Sequence, residues 1–378
     1  MTTPNNKKIL VIFGTRPEAI KMAPIIKKLL LVDGITTKVC VTAQHRGMLD
    51  QVLDFFDIHP DFDLNLMKAG QTLAELTSKV LEGVSNVLLE WKPDLVLVHG
   101  DTTTTLAASL AAYYQKVSVG HVEAGLRTRD IYSPWPEEVN RRFVANIAMI
   151  HFAPTQASKV NLLKEGISDE AIKVTGNTVI DSLLNAVKTL NINVQLNNDL
   201  KHRFSYIDQN KKLILVTGHR RENFGPAFEN ICQAIKDISE RDDVQVVYPV
   251  HLNPNVQEPV MRILGGIENI YLIDPLEYLS FVFLMNNAYM ILTDSGGVQE
   301  EAPSLNKPVL VFRETTERPE AILNGAVKLV GTKRDAIFLE ASRLLDNPEE
   351  YNKMINRENP YGDGLASERI VNYIKGLK

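Results

Sequence analysis

Lys8-Ile9-Leu10-Val11-Ile12-Phe13-Gly14-Thr15-Arg16-Pro17-Glu18 is an unbroken apolar run that stops at a glycine and turns polar at once. A strand that is apolar on both faces belongs in a parallel sheet with helices on either side. The next residues fit that reading. A helical stretch runs from about Pro17 to Leu31, and Pro24 inside it is predicted to kink the helix or mark its restart. A strand at Thr37 to Thr42, a helix near Gly47 to Phe55 and a long helix from Leu73 to Trp91 follow. Asp94 to His99 is again an apolar strand, closed by Gly100-Asp101. Thr102 to Tyr114 reads as helix, and Val117 to Val119 as a short strand ending at His121-Val122-Glu123. Such alternation is the pattern of a doubly wound α/β sheet. Asp61-Phe62-Asp63 reads as a polar surface loop without a metal.

The pattern then restarts. Lys212-Leu213-Ile214-Leu215-Val216-Thr217 is a second buried strand that stops at a glycine and a basic loop, Gly218-His219-Arg220-Arg221-Glu222-Asn223. Val244 to Pro249, Ile270 to Ile273 and Tyr289 to Thr293 read as further strands with helices between them. Asn191 to Asn210, rich in Asn, Asp and Lys, reads as a surface segment near the junction. The fold class is α/β, with two Rossmann-like doubly wound domains divided near residue 176, and 378 residues suit two cores. Ligands of open α/β sheets bind beyond the carboxyl ends of the strands, so the cleft between two such domains is the expected site.

Bulk properties narrow the partners. The net charge is −5, from 41 Lys plus Arg against 46 Asp plus Glu, so any phosphate site is local and nucleic acid is not expected. Cys40 and Cys232 have neither metal-ligand spacing nor the density of a disulfide framework, and read as buried thiols. The polar start lacks a signal-peptide core, and no apolar run reaches the ~18 residues a membrane span needs. The expected compartment is the cytosol.

The loops after the strands carry the candidate chemistry. Arg16 opens a helix, where N–H groups and a guanidinium converge on an anion; the alternative is a solvated surface arginine. His219 sits among arginines at a strand end, which favours a leaving-group contact. Asp101 is either a helix N-cap or a site carboxylate. Glu123 ends a buried strand, and carboxylates rarely do so without a partner or a task. Glu137 and Glu138 follow Pro134-Trp135-Pro136, and one of them is expected at a helix start. Asp294-Ser295-Gly296-Gly297-Val298-Gln299-Glu300-Glu301 offers two glycines that let backbone N–H groups approach a pyrophosphate, with Glu301 one turn on for a ribose diol. Arg313 and Arg318 add positive charge nearby.

Taken together, Gly-Thr-Arg-Pro-Glu (14–18), Gly-Asp-Thr-Thr-Thr (100–104), His-Val-Glu-Ala-Gly-Leu-Arg-Thr (121–128), Pro-Glu-Glu-Val-Asn-Arg (136–141), Thr-Gly-His-Arg-Arg-Glu-Asn (217–223) and Asp-Ser-Gly-Gly-Val-Gln-Glu-Glu-Ala (294–302) resemble the non-hydrolysing UDP-N-acetylglucosamine 2-epimerases. The motifs occur in the family's order from residue 8 to about residue 332. The resemblance implies a GT-B-like arrangement of the two domains: residues 1–175, carrying the acid/base carboxylates and joined by a last helix of about 365–378, and residues 176–364, binding UDP. It implies interconversion of UDP-GlcNAc and UDP-ManNAc, a homodimer, no cofactor and no metal, and a product feeding bacterial surface polysaccharide synthesis.

Residue by residue, the resemblance puts Arg16, Lys21 and His219 in the active site. It makes Asp101, Glu123 and Glu137 the acid/base carboxylates and Arg141 their supporting arginine. Ser295, Gly296, Gly297, Glu301 and Arg318 match contacts to diphosphate and ribose. Phe281 falls where the family holds uracil, and Leu276 stands where close relatives have Gln. Some members bind a second UDP-GlcNAc as activator, and Gln44 and His251 match that second site. Gly47 and Gly70 stand where some relatives hold larger polar residues, which leaves activation open.

The chemistry explains the residue types. The C2 proton of the sugar is not next to a carbonyl. Its removal becomes feasible if the C1–O bond to UDP breaks as it leaves, giving 2-acetamidoglucal, and readdition of UDP with protonation on the other face gives the epimer. That needs anion stabilisation at the departing diphosphate and acid/base groups for two faces of C2. The rival readings are a GT-B glycosyltransferase, a hydrolysing epimerase that releases ManNAc and UDP, and a sensor that binds without turnover.

Overall fold

The structure is a computed structural model that describes residues 6–42, 46–66, 68, 70–316 and 318–377. Two compact units make up the chain: residues up to Ser182 together with those from Tyr361 onward, and Leu183–Pro360.

In the first unit, strands and helices alternate as β1 (Lys7–Phe13), α1 (Arg16–Leu29), β2 (Ile35–Val41), α2 (Arg46–Phe55), β3 (Phe62–Asp63), α3 (Leu73–Trp91), β4 (Leu95–His99), α4 (Thr103–Tyr114), β5 (Ser118–Val122), α5 (Glu137–Ile147), β6 (Ile150–Ala153), α6 (Gln156–Lys164) and β7 (Ile172–Val174), and α7 (Thr178–Ile192) leads out. The seven strands are parallel, in the order β3-β2-β1-β4-β5-β6-β7. Residues Ile9 to Phe13 are at most 1% exposed, and burial of each such side chain contributes about 1.5–3 kcal/mol. Leu10 and Ile12, two apart and so on one face of the strand, pack with Val80 and Val84 of α3 and Ala108 of α4. Strand order reverses between β1 and β4, and this is the point where loops of open α/β sheets gather a ligand.

The second unit continues through α8 (Val194–Arg203), β8 (Lys212–Thr217), α9 (Pro226–Ser239), β9 (Val244–Pro249), α10 (Pro254–Leu264), β10 (Ile270–Ile273), α11 (Tyr278–Asn287), β11 (Met290–Thr293), α12 (Gly296–Glu301), β12 (Val309–Val311), α13 (Pro319–Leu323), β13 (Val327–Leu329), α14 (Arg334–Asp346) and α15 (Pro348–Ile355). Its six parallel strands run β10-β9-β8-β11-β12-β13, with the reversal between β8 and β11. The last helix, α16 (Ala366–Gly376), belongs to the first unit and packs against α1. Asp181 of α7 fixes its start: the carboxylate accepts the N–H groups of Ala366 (3.2 Å) and Ser367 (2.8 Å). A carboxylate is favoured at the positive end of the helix.

Four expectations change. Pro24 does not mark a restart of α1, which runs unbroken from Arg16. Proline leaves the carbonyl four residues back without its donor, and Ser182 Oγ supplies that hydrogen bond to Ile20 O. The Asn191–Asn210 stretch is exposed as expected but largely helical: Asn193 caps α8 through the N–H of Leu196, and Leu200 is buried. Phe62 and Asp63 are not loop but a short strand paired with β2. The strand expected at Val117 to Val119 extends to Val122. Cys40 and Cys232 are buried free thiols, and burial pushes both up to about 12. No helix among the described residues is long and apolar enough to cross a membrane.

His121 of β5 pairs in register with His151 of β6, and both are 1% exposed. His121 Nε2 donates to Gly100 O at 2.7 Å, so its Nδ1 is the unprotonated nitrogen, and it has no partner. Burial brings His121 down to about 3 and His151 to about 4. Well above about pH 6.5 both rings are neutral in folded and unfolded chains alike. Below it the unfolded chain takes up protons that the folded one refuses, so stability falls with pH until the folded values are reached. His121→Gln is therefore expected to flatten the acid slope of unfolding free energy by up to about 1.4 kcal/mol per pH unit between pH 6 and 4.5. Urea titrations across that range test this; an unchanged slope contradicts the neutral buried ring.

Candidate active site

The loop after β1 is built by a capping box. Thr15 caps α1, and Glu18 closes the box: its Oε2 accepts the N–H groups of Gly14 (3.1 Å) and Thr15 (2.8 Å). Its Oε1 accepts the hydroxyl of Thr102 at 2.8 Å. Glu18 is 2% exposed, so the acid of the Gly-Thr-Arg-Pro-Glu motif is a strut. It ties the β1 loop to the β4 loop across the point where strand order reverses. Arg16, half-buried, is the first residue of the helix that this box anchors.

Beside this strut sits a buried carboxylate. Glu123, just past β5, has φ 62°, a left-handed conformation unusual for a residue with a side chain. Gly125 two residues on has φ 95°, and a Cβ there would lie 2.3 Å from Ser158 O, so only glycine fits against α6. Glu123 Oε2 forms an ion pair with Lys21 Nζ from α1, and accepts from His99 Nε2 at the end of β4 (3.0 Å) and from Asn177 Nδ2 (3.3 Å). Burial alone would raise the carboxyl. The Lys21 and His99 contacts outweigh it and hold Glu123 well below the ordinary carboxylate range.

Asp101 forms the second centre. It does not cap α4; Thr102 does, accepting the N–H of Thr105 at 3.1 Å. The Asp101 carboxylate is thus left to meet Arg141 Nη2 at 2.6 Å. Asn140 Nδ2 holds the Asp101 carbonyl at 2.8 Å. The adjacent acids at the start of α5 divide their work. Glu138 is fully buried and accepts the N–H groups of Thr128 (3.0 Å) and Arg129 (3.1 Å) and Nη1 of Arg141 (3.2 Å). Glu137 is half-buried, and burial together with the nearby Asp101 charge raises its pKa. Asp101 and Glu123 thus stand just past neighbouring strands of one sheet, Asp101 paired with Arg141 of α5 and Glu123 with Lys21 of α1, and Glu137 opens α5.

In the second unit the loops after β8 and β11 flank the other reversal point. Fully buried Asp294 draws the β8 loop around itself. It accepts the N–H groups of His219 (3.0 Å) and Arg220 (2.9 Å) and the amide of Asn223 (3.2 Å). The His219 ring stacks on His251 with centroids 5.2 Å apart. Burial and the neighbouring His251 and Arg220 charges lower His219, against the opposing pull of Asp294. The imidazole is therefore neutral near pH 7.

Ser295 stands just before α12, with no side-chain cap bond among the described residues, and Gly296 and Gly297 follow. A Cβ on Gly296 would lie 2.5 Å from Arg318 Nη1, so this glycine admits a guanidinium as well as any ligand. Glu301 Oε2 lies 3.7 Å from where a Cβ of Gly297 would stand. Arg313 and Arg318 are not loose rim charges: Arg313 Nε pairs with Glu222 Oε1 and Arg318 Nε with Glu300 Oε1, both at 2.6 Å. Leu276 is buried in a cavity of about 370 Å³ lined also by Arg203, Phe204, Tyr206 and Val250. Phe281 lies in α11 and is half-buried. Gln44 lies outside the described residues.

Sequence reading gave no role to the side chains of Glu18, His99, Asn177 and Asp294, and did not divide Glu138 from Glu137. His99 alone carried a usable signal, a histidine closing an apolar strand next to Gly100-Asp101.

The family model described as UDP-N-acetylglucosamine 2-epimerase matches residues 28–375. The UDP-N-acetylglucosamine 2-epimerase of Escherichia coli (strain K12) is 59% identical over 369 residues, covering 97% of this chain and 98% of that one. The crystal structure of the Neisseria meningitidis UDP-GlcNAc 2-epimerase bound to UDP-GlcNAc is similar with a TM-score of 0.93 at 53% identity, covering 98% of this chain and all of that one. The Methanocaldococcus jannaschii UDP-GlcNAc 2-epimerase in complex with UDP-GlcNAc and UDP is similar with a TM-score of 0.81 at 36% identity, over 97% of this chain and 99% of that one. On the strength of motifs, two reversal-point loop sets and a match along almost its whole length, this chain belongs to the UDP-N-acetylglucosamine 2-epimerase family.

Proposed function

We propose that this enzyme interconverts UDP-GlcNAc and UDP-ManNAc by eliminating UDP and adding it back to 2-acetamidoglucal. The observation that carries the reading is the contrast between two acids of one unit. Lys21 and His99 keep Glu123 ionised, whereas burial and Asp101 favour the protonated form of Glu137. Environments that push two carboxyls apart assign them opposite parts in proton transfer. Glu137 is then the carboxyl that takes up a proton more readily than Glu123, Asp101 its neighbour, and Glu123 a fixed anion near the sugar. Arg16, neutral His219 and the Ser295–Gly297 turn receive the diphosphate as the C1–O bond breaks. Glu301 and Arg318 serve the ribose and diphosphate, Leu276 and Phe281 the uracil, and Gln44 and His251 a second nucleotide sugar. The same reading takes the enzyme as a cytoplasmic homodimer supplying surface polysaccharide synthesis.

Incubation with UDP-GlcNAc alone in deuterated water tests it. Proton NMR is expected to show UDP-ManNAc and loss of the C2 proton signal in the recovered nucleotide sugars. An epimer that keeps its original C2 hydrogen rules out elimination. Free ManNAc accumulating with UDP would instead favour the hydrolysing rival, and no turnover without an added acceptor would favour the glycosyltransferase.

A further inference from the structure

All three hydrogen-bond donors that reach Glu123 arrive at the same oxygen. Lys21 Nζ, His99 Nε2 and Asn177 Nδ2 converge on Oε2, and Oε1 accepts nothing among the described residues. The donors come from three places in the chain: α1, the end of β4, and the turn before α7. His99 is 4% exposed and its buried Nδ1 has no partner among the described residues. A carboxylate only accepts, so the proton sits on Nε2 and the ring is committed to one bond. Its backbone is committed too, since the Thr105 hydroxyl donates to His99 O at 2.5 Å. The left-handed backbone of Glu123 costs about 1 kcal/mol or more, which such converging contacts can sustain.

We infer that His99 is a positioning residue: by binding Oε2 it stops the Glu123 carboxylate from rotating and presents Oε1 to the sugar. The assignment rests on the epimerase reading. Lys21 supplies the charge that keeps Glu123 ionised. Its ammonium sits on a flexible stem and is a poor director. The rigid imidazole on a strand end supplies the direction. The alternative is a core histidine that only fills space, and the two differ in what a substitution does to kcat.

Two amides separate them. Glutamine at position 99 carries its N–H₂ about as far from the backbone as imidazole Nε2. Asparagine stops short, near the place of Nδ1. His99→Gln is expected to keep kcat within about threefold of wild type, and His99→Asn to lose about 10–100-fold, the scale for a group misplaced by ~1 Å. The KM for UDP-GlcNAc and the affinity for UDP are expected to move less than about threefold in both. Equal turnover in the two variants, fast or slow, overturns the assignment, as does a loss that appears in KM rather than kcat. Wild-type enzyme in the same assay separates this from the wider reading, since its failure to epimerise UDP-GlcNAc would refute the epimerase and not the role of His99. Melting temperatures check that both amides are folded, and an apolar His99→Leu is expected to match His99→Asn in kcat.

Discussion

Glu137→Gln is expected to lower kcat by about 10²–10⁴-fold, the usual worth of a positioned acid or base, with UDP affinity within threefold of wild type. The substitution keeps shape and hydrogen-bonding capacity and removes only the exchangeable proton. Glu137 is half-buried, and its pKa is raised by burial and by Asp101, so the loss falls on proton transfer. Apart from Arg16, the groups assigned to UDP lie in the other unit and are untouched. The neighbouring Glu138 is the internal control. It is fully buried and accepts two backbone N–H groups as well as Arg141. Glu138→Gln is thus expected to lower the melting temperature, whereas Glu137→Gln leaves it nearly unchanged. A Glu137→Gln enzyme retaining more than about a fifth of wild-type kcat would remove Glu137 from the chemistry and with it the contrast on which the proposed mechanism stands.

Lys21→Met is expected to have the largest effect on stability. The Lys21 and Glu123 side chains are 11% and 8% exposed. Removing one partner of a buried pair leaves the other charge uncompensated, which costs about 3–5 kcal/mol. For a protein of this class that corresponds to roughly 6–20 °C in melting temperature. His99 and Asn177 still bond to Glu123, but they do not replace the ammonium that Lys21 brings against it. The double variant Lys21→Met/Glu123→Gln carries no stranded charge and is expected to recover at least half of the loss while remaining inactive. Calorimetry of the two variants and of Glu123→Gln decides it. If the double variant melts no higher than Lys21→Met, the cost lies in packing and not in charge.

The two sheets were legible in the sequence because buried parallel strands have a local signature. The runs at Lys212–Thr217, Val244–Pro249 and Ile270–Ile273 are strands with those same ends. Loop membership was legible for the same reason: Arg16, Asp101, Glu123, His219 and Ser295 each stand just past an apolar run. Segments governed by tertiary contact were not. Pro24 reads as a kink or a restart of the helix, and only the fold shows that Ser182, 158 residues away (182 − 24), satisfies the carbonyl it orphans. Glu137 and Glu138 have the same local sequence context, and only the loop folded onto Glu138 separates structural acid from candidate acid.

The sequence by itself therefore determined the fold class, the ends of the strands with continuous apolar runs and the kinds of charge gathered there, since these follow from such runs and the residues that terminate them. Strand order was decided only in the tertiary structure, because the choice between neighbours in a parallel sheet depends on packing of whole layers. That order sets β4 beside β1 and β5, and so brings His99 and Lys21 onto Glu123 and lets Arg141 reach Asp101. Charge state followed from it. A carboxylate's pKa depends on its burial and on donors that lie 24 to 102 residues away in the chain, and no local pattern encodes those distances.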